Sequence, residues 1–209
     1  MRWLKSISST LCILCGFVFD ATEADSASTR FDLIDIKIIE QSELAIGNKD
    51  AQQTILVYIR LDCVYCRQFH DEILPELKRK YIDTGYAKLV YRILSTSRSL
   101  IGDDTVSSEI IACSHKEQKL NEMLAVVLEN GGHDPWENYK SWQQLAGSGD
   151  TDSFEYCLTY HTTRAAIVES QLRFERHLIR VTPTVFIGNH KLEGLKPFHV
   201  YESAFINKL

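Results

Sequence analysis

Two cysteines separated by two residues, Cys63-Val64-Tyr65-Cys66, are the first candidates for chemistry in this sequence of 209 residues. The reactive form of such a pair is the thiolate, which attacks disulfides and binds soft metals. The spacing alone does not choose between those roles: half of a zinc site looks the same, and His70 follows Cys66 by four residues. A structural zinc would need a second closely spaced ligand pair, and Cys113 and Cys157 are isolated. A redox dithiol is therefore expected, with no metal, and His70 is assigned to a helix surface. Cys63 becomes the exposed nucleophile and Cys66 the resolving thiol one helical turn below. His115, His133, His161, His177, His190 and His199 show no ligand spacing and carry no assignment.

Such a pair works only if its elements hold it at a helix N-terminus, where unpaired backbone N–H groups and the helix dipole favour the thiolate. Thr54–Ile59 is a continuous β-branched and aromatic run, the pattern of a strand buried on both faces. After Cys66, Phe69, Ile73, Leu74, Leu77 and Tyr81 recur at helical spacing, with Pro75 expected to kink the helix. Ala87–Leu94 reads as a second strand, and the β-α-β order implies a parallel pair with a right-handed crossover. Residues 102 to 180 then read as helices. One is capped by Asp103 or Asp104 and runs to Cys113; one runs from Lys116 to Glu129 and stops at Gly131-Gly132; one is capped by Asp134 with Pro135 at its first position. A short helix runs from Asp152 or Ser153 to Tyr160, and a longer one from Thr163 to Leu178. Thr184–Ile187, the turn Gly188-Asn189-His190 and Lys191–Gly194 form a hairpin, and Pro197 opens a last helix. This order resembles an α/β thioredoxin-like fold with a central mixed sheet, split by a helical insertion.

A proline before a buried strand cannot donate to the sheet, so Pro183 in Val181-Thr182-Pro183-Thr184 is an edge device or a cis bond. In a sheet of that type this position faces the dithiol, and a cis proline would turn the Thr182 backbone outward to pair with an extended substrate segment. Cis is expected.

The N-terminus carries Arg2 and Lys5, an apolar run from Leu11 to Phe19, and small residues at Ala21, Ala24, Ser26 and Ala27. That is the order of a secretory signal peptide over residues 1 to 27, too short in its apolar core to span a bilayer. Its removal takes Cys12 and Cys15 and leaves Cys63, Cys66, Cys113 and Cys157, an even number suited to an oxidising compartment. No later apolar run approaches the length of a membrane helix, so a soluble mature protein is expected. A net charge of -5 argues against nucleic acid as a partner, and Gly 10 with Pro 4 excludes collagen-like or low-complexity chains. Trp136, Tyr139 and Trp142 could line a client surface, or form an apolar face of the insertion.

Together these features make the chain resemble the DsbA-like thiol:disulfide oxidoreductases of the bacterial periplasm. The resemblance is almost residue for residue over Ala45-Ile46-Gly47-Asn48-Lys49-Asp50-Ala51, Phe69 to Leu77 and Lys80-Tyr81-Ile82-Asp83-Thr84-Gly85. It returns at Thr182-Pro183-Thr184-Val185-Phe186-Ile187-Gly188-Asn189, and covers roughly residues 43 to 209. It implies a thioredoxin-like domain over 54–100 and 181–209, an insertion over 101–180 and an N-terminal segment over 28–53. Catalysis falls to Cys63, Cys66, Thr182 and Pro183, and client contact to Val64, Tyr65 and Thr182. Oxidation of exported thiol proteins in the periplasm is implied, with no cofactor beyond the Cys63–Cys66 disulfide and with re-oxidation by a quinone-linked membrane partner. A monomer is expected.

Three departures from the family pattern bear on oxidising strength. Val64-Tyr65 replaces Pro-His and removes an imidazole that helps hold the thiolate. Val57 stands where many relatives place a buried carboxylate. Asp62 precedes the nucleophile and opposes the thiolate, with Arg60 and Arg67 available to offset it. A milder oxidant than the Pro-His relatives is expected. An isomerase or reductase of the same fold, served by a membrane reductase, is the alternative; it usually carries a dimerisation module, for which residues 28 to 53 are too few. A chaperone or soft-metal carrier using the dithiol is a further one. Cys113 and Cys157 lie on insertion helices among apolar neighbours, where unpaired thiols would invite misbridging with Cys63. A structural disulfide between them is expected, which the resemblance supports, since some relatives are bridged in this region; two buried free thiols are the alternative.

Overall fold

The computed structural model describes residues 44–94, 102–147 and 151–206, all within one compact unit, Ile34–Leu209. Residues 1–27, read above as a signal peptide, lie outside the described residues. Strand β1 (Leu44–Ile46) is followed by β2 (Gln53–Arg60), then by a helical stretch of four pieces: α1 (Val64–Gln68), a π-helical turn (Phe69–Ile73), α2 (Leu74–Leu77) and a second π-helical turn (Lys78–Ile82). Strand β3 (Ala87–Leu94) follows. The insertion comprises α3 (Asp103–Lys116), α4 (Leu120–Asn130), α5 (Pro135–Ala146), α6 (Asp152–Thr159) and α7 (Arg164–Arg176). The chain ends with β4 (Thr184–Ile187), β5 (His190–Glu193) and α8 (Phe198–Ile206).

The strands form one mixed sheet in the order β1-β3-β2-β4-β5. β2 and β3 are parallel over their full length, from Gln53 opposite Ala87 to Arg60 opposite Leu94. The other three pairings are antiparallel. β2 sits at the centre because both of its faces are apolar: Ile55, Val57 and Ile59 face one core, Leu56 and Tyr58 the other. The larger core is continuous with the insertion, joining Cys66, Phe69 and Leu77 to Ile110, Met123, Leu124, Val127, Trp142 and Phe154. The insertion therefore shares the core that lies beneath the dithiol.

Several elements differ from the sequence reading. β1 falls in the segment read only as N-terminal, and three residues are too few to show a period. The proline at 75 is absorbed by a wider turn: the Leu74 N–H reaches back five residues to Phe69 O, so Pro75 falls in the first turn of a fresh helical segment that starts at Leu74. α3 continues past Cys113 to Lys116, and α4 starts at Leu120 rather than Lys116. Gln118 takes φ +60 between them, while Lys119 N–H bonds Ser114 O at 3.0 Å. A left-handed residue other than glycine leaves little mark in a sequence. α7 stops at Arg176, and Leu178 is also left-handed, at φ +49. At the hairpin, His190 opens β5 opposite Ile187, so the turn is Gly188-Asn189 alone.

Candidate active site

β2 ends at Arg60, and the chain turns through Leu61 and Asp62 into α1, with the Cys63 N–H 3.4 Å from Arg60 O. Cys63 is the N-cap of α1 in extended conformation, so its side chain faces the first backbone amides of the helix. Its Sγ accepts the Cys66 N–H at 3.2 Å. Cys66 is fully buried, and Cys63 is half-buried.

This placement separates the two thiols chemically. The Cys63 pKa falls from its ordinary 9.0 to about 6, chiefly through hydrogen bonding with the Cys66 thiol, then through Thr182 and the backbone amides of Cys66 and Tyr65, against the opposing effect of partial burial. Burial pushes the Cys66 thiol well up, and its neighbour Cys63 pushes it further. One thiol is thus available as an anion near neutral pH while its partner holds its proton.

The second wall of the site comes from the segment before β4. Tyr58 pairs with Thr184 in the β2–β4 register, which brings residues 181–183 beside the end of β2. The Thr182–Pro183 bond is cis. Thr182 O lies 3.3 Å from Cys63 Sγ and accepts from its thiol. Val64 and Tyr65 are 62% and 57% exposed, so the dipeptide stands in solvent rather than in the core. A groove of about 520 Å³ runs beside them, with Arg60, Tyr65, Arg180, Val181, Thr182 and Leu195 among its lining. A larger cavity of about 770 Å³, between the β1–β3 edge and α7, includes neither cysteine.

Val57 is fully buried and belongs to the same core as Cys66. Asp62 is gripped by Arg60, with Nε donating to Oδ1 at 3.0 Å and Nη2 to Oδ2 at 2.6 Å. Arg67 instead lies 3.6 Å from Asp71. His70, assigned to a helix surface once a metal role was set aside, is corrected: its side chain is only 11% exposed, and burial lowers its pKa.

Sequence reasoning missed the insertion's hold on the active-site turn. Ser107 Oγ donates to Gly132 O at 2.9 Å, Gly132 N–H donates to Asn130 Oδ1 at 2.9 Å, Asn130 Nδ2 donates to Asn138 Oδ1, and Asn138 Nδ2 donates to Ser107 Oγ at 2.9 Å. This closed ring fixes a Gly-Gly loop against Leu61 and Asp62, and a Cβ on Gly132 would lie 2.7 Å from Leu61 Cβ. Each polar group alone reads as an ordinary helix or turn residue; only the Gly-Gly pair hinted at a close approach.

Away from the dithiol, Cys113 and Cys157 are joined by a disulfide with a Cα–Cα distance of 5.7 Å. Beside it, buried Glu109 accepts a fork from Arg164 at 3.0 and 2.7 Å and lies 3.1 Å from His161 Nδ1. Trp142 is buried and stacked on Phe154, whereas Trp136 is exposed and stacks on Tyr139. The aromatic set is thus divided between core and surface.

Compared with known proteins, residues 40–206 match the Thioredoxin_4 family model, described as Thioredoxin. A Rickettsia bellii protein provisionally named a protein-disulfide oxidoreductase is 36% identical over 163 residues, which are 75% of this chain and 61% of that protein. The chain thus spans about three-fifths of that relative's length. The Wolbachia pipientis thiol-disulfide exchange protein alpha-DsbA2 superposes with a TM-score of 0.67 at 15% identity, covering 88% of this chain and 96% of the other. Chlamydia trachomatis DsbA gives a TM-score of 0.61 at 19% identity, covering 76% and 87%.

Proposed function

Because the chain belongs to the thioredoxin family, we propose that it is a DsbA-like thiol:disulfide oxidoreductase that introduces disulfides into exported proteins in the periplasm. The observation that carries this reading is the asymmetry of the dithiol: Cys63 lowered to about 6 at a helix N-terminus, and Cys66 buried and raised. In the oxidised enzyme a client thiolate attacks Cys63 Sγ, the Cys63–Cys66 bond breaks, and Cys66 leaves with the electron pair and takes up a proton. A second client thiolate then attacks the client sulfur of the mixed disulfide. Cys63 leaves as a stable thiolate, the client is oxidised by two electrons, and the enzyme dithiol is reduced. The acidity of Cys63 makes it the better leaving group, which favours release of the oxidised client.

Thr182 O, freed from sheet pairing beside Cys63, is the acceptor for an extended client backbone, with Val64 and Tyr65 as exposed apolar contacts. Re-oxidation falls to a quinone-linked membrane partner. With Val64-Tyr65 in place of Pro-His, the potential is lower than in relatives that carry the imidazole. The test uses a reduced, unfolded client with two cysteines. Cys63→Ser should abolish client oxidation, and Cys66→Ala, first charged at Cys63 as a mixed disulfide with a small thiol, should exchange that thiol for a single-cysteine client and hold the client as a mixed disulfide. Oxidation that survives Cys63→Ser overturns the assignment.

A further inference from the structure

The nucleophile directly follows an acid, and a carboxylate so placed works against a thiolate. Cys63 nevertheless sits at about 6. Two arginines stand close enough in sequence to offset Asp62, and the structure separates them. Arg67 faces Asp71 across one turn of helix, at 3.6 Å. Arg60 forks both oxygens of Asp62, at 3.0 and 2.6 Å. The same Arg60 closes the turn by accepting the Cys63 N–H on its carbonyl oxygen at 3.4 Å. Strand end, acid and nucleophile therefore form one hydrogen-bonded unit, and the Asp62 carboxylate has both oxygens committed to Arg60.

We propose that Arg60 is a positioning residue for the nucleophile, acting through Asp62: its fork pairs both oxygens of that carboxylate, so that a thiolate persists next to an acid. The inference rests on Cys63 being the nucleophile. It differs from a simple contribution of Arg60's own charge. Both side chains are partly open to water, and a guanidinium released from Asp62 would be screened by solvent and salt. Arg60 should then matter only while Asp62 is ionised.

A double-mutant cycle on the reduced full chain separates these cases, with the thiolate absorbance of Cys63 titrated against pH. Cys66 does not interfere, since its pKa is raised. Arg60→Gln should raise the Cys63 midpoint by roughly half a pH unit, the scale of an exposed ion pair released beside the sulfur. Asp62→Asn should leave it at or slightly below the wild-type value, and the double variant should match Asp62→Asn. An equal upward shift from Arg60→Gln in both backgrounds, or no shift in either, overturns the proposal. Arg60→Lys, which keeps the charge but loses the fork, guards against misfolding of the glutamine variant and should fall between it and wild type; a midpoint as high as that of Arg60→Gln would also overturn it. Failure of the nucleophile assignment is read separately, as client oxidation retained by Cys63→Ser.

Discussion

Replacing Gly132 with alanine measures how firmly the insertion grips the active-site turn. Gly132 lies at φ +69, and a Cβ there would meet Leu61 Cβ at 2.7 Å and Cδ1 at 2.9 Å. Leu61 cannot swing aside cheaply, because it is only 3% exposed and the nearer contact is its own Cβ. Nor can the loop retreat without breaking bonds, since Gly132 N–H bonds Val127 O at 3.0 Å and Gly132 O accepts from Ser107 at 2.9 Å. A left-handed φ costs alanine about 1 kcal/mol, overpacking adds about 1–3 kcal/mol, and the stiffer unfolded chain offsets about 0.4–1 kcal/mol. Gly188 provides the internal control: its φ is +57, and among the described residues nothing lies within 4 Å of its would-be Cβ. Gly188→Ala therefore carries only the first and last of these effects, which nearly cancel. The difference between the variants is the overpacking alone, about 2 kcal/mol, or roughly 4–8 °C in Tm for a chain of this size. Thermal unfolding followed by circular dichroism provides the comparison, and alkylation of Cys63 reports whether the turn has moved. Equal Tm losses for the two variants would refute the claim that the loop is pressed rigidly on Leu61.

The disulfide and the nucleophile give two further expectations. Cys113→Ala with Cys157→Ala opens a bridge of sequence separation 44, which in the loop-entropy picture lowers stability by about 4 kcal/mol; urea unfolding of the non-reduced protein measures it, and a loss under about 1 kcal/mol would show that the bridge adds little restraint to the unfolded chain. The Cys63 pKa is depressed from 9.0 to about 6 on folding, so the stabilisation of the reduced form that comes from its thiolate is full above pH 9, shrinks as the pH falls, and is gone below about pH 6. The oxidised form lacks this group, and the stability difference between reduced and oxidised protein should therefore rise with pH across that window; a flat difference would place the Cys63 pKa elsewhere.

Local chemistry made much of the scaffold legible in the sequence. The run Thr54–Ile59 lies within β2 and Ala87–Leu94 coincides with β3, because a strand covered on both faces must be apolar throughout. Asp134 caps α5 by accepting the Glu137 N–H at 3.0 Å, and Gly131 ends α4 at φ +70, since both residues act through their own backbone neighbourhood. The position of Cys63 at a strand-to-helix junction follows from the same period change, from continuous apolar residues to helical spacing.

What remained hidden depends on residues far apart in the chain. β1 exists because Leu44–Ile46 finds a free edge on β3, and no three-residue pattern announces a partner. His70 is polar by type, yet helix packing buries it. Ser107, Asn130, Gly132 and Asn138 become one ring only when α3, α4 and α5 converge. Arg60 and Arg67 are equivalent neighbours of Asp62 on paper, but the strand-end turn aims one at the acid while the helix carries the other to Asp71. Sequence alone singled out the groups that are candidates for the chemistry and the kind of element that carries them, because propensity, capping and burial period act over a few residues. Tertiary structure decided which of those groups meet, because the energy of a contact depends on the distance and burial that distant segments impose.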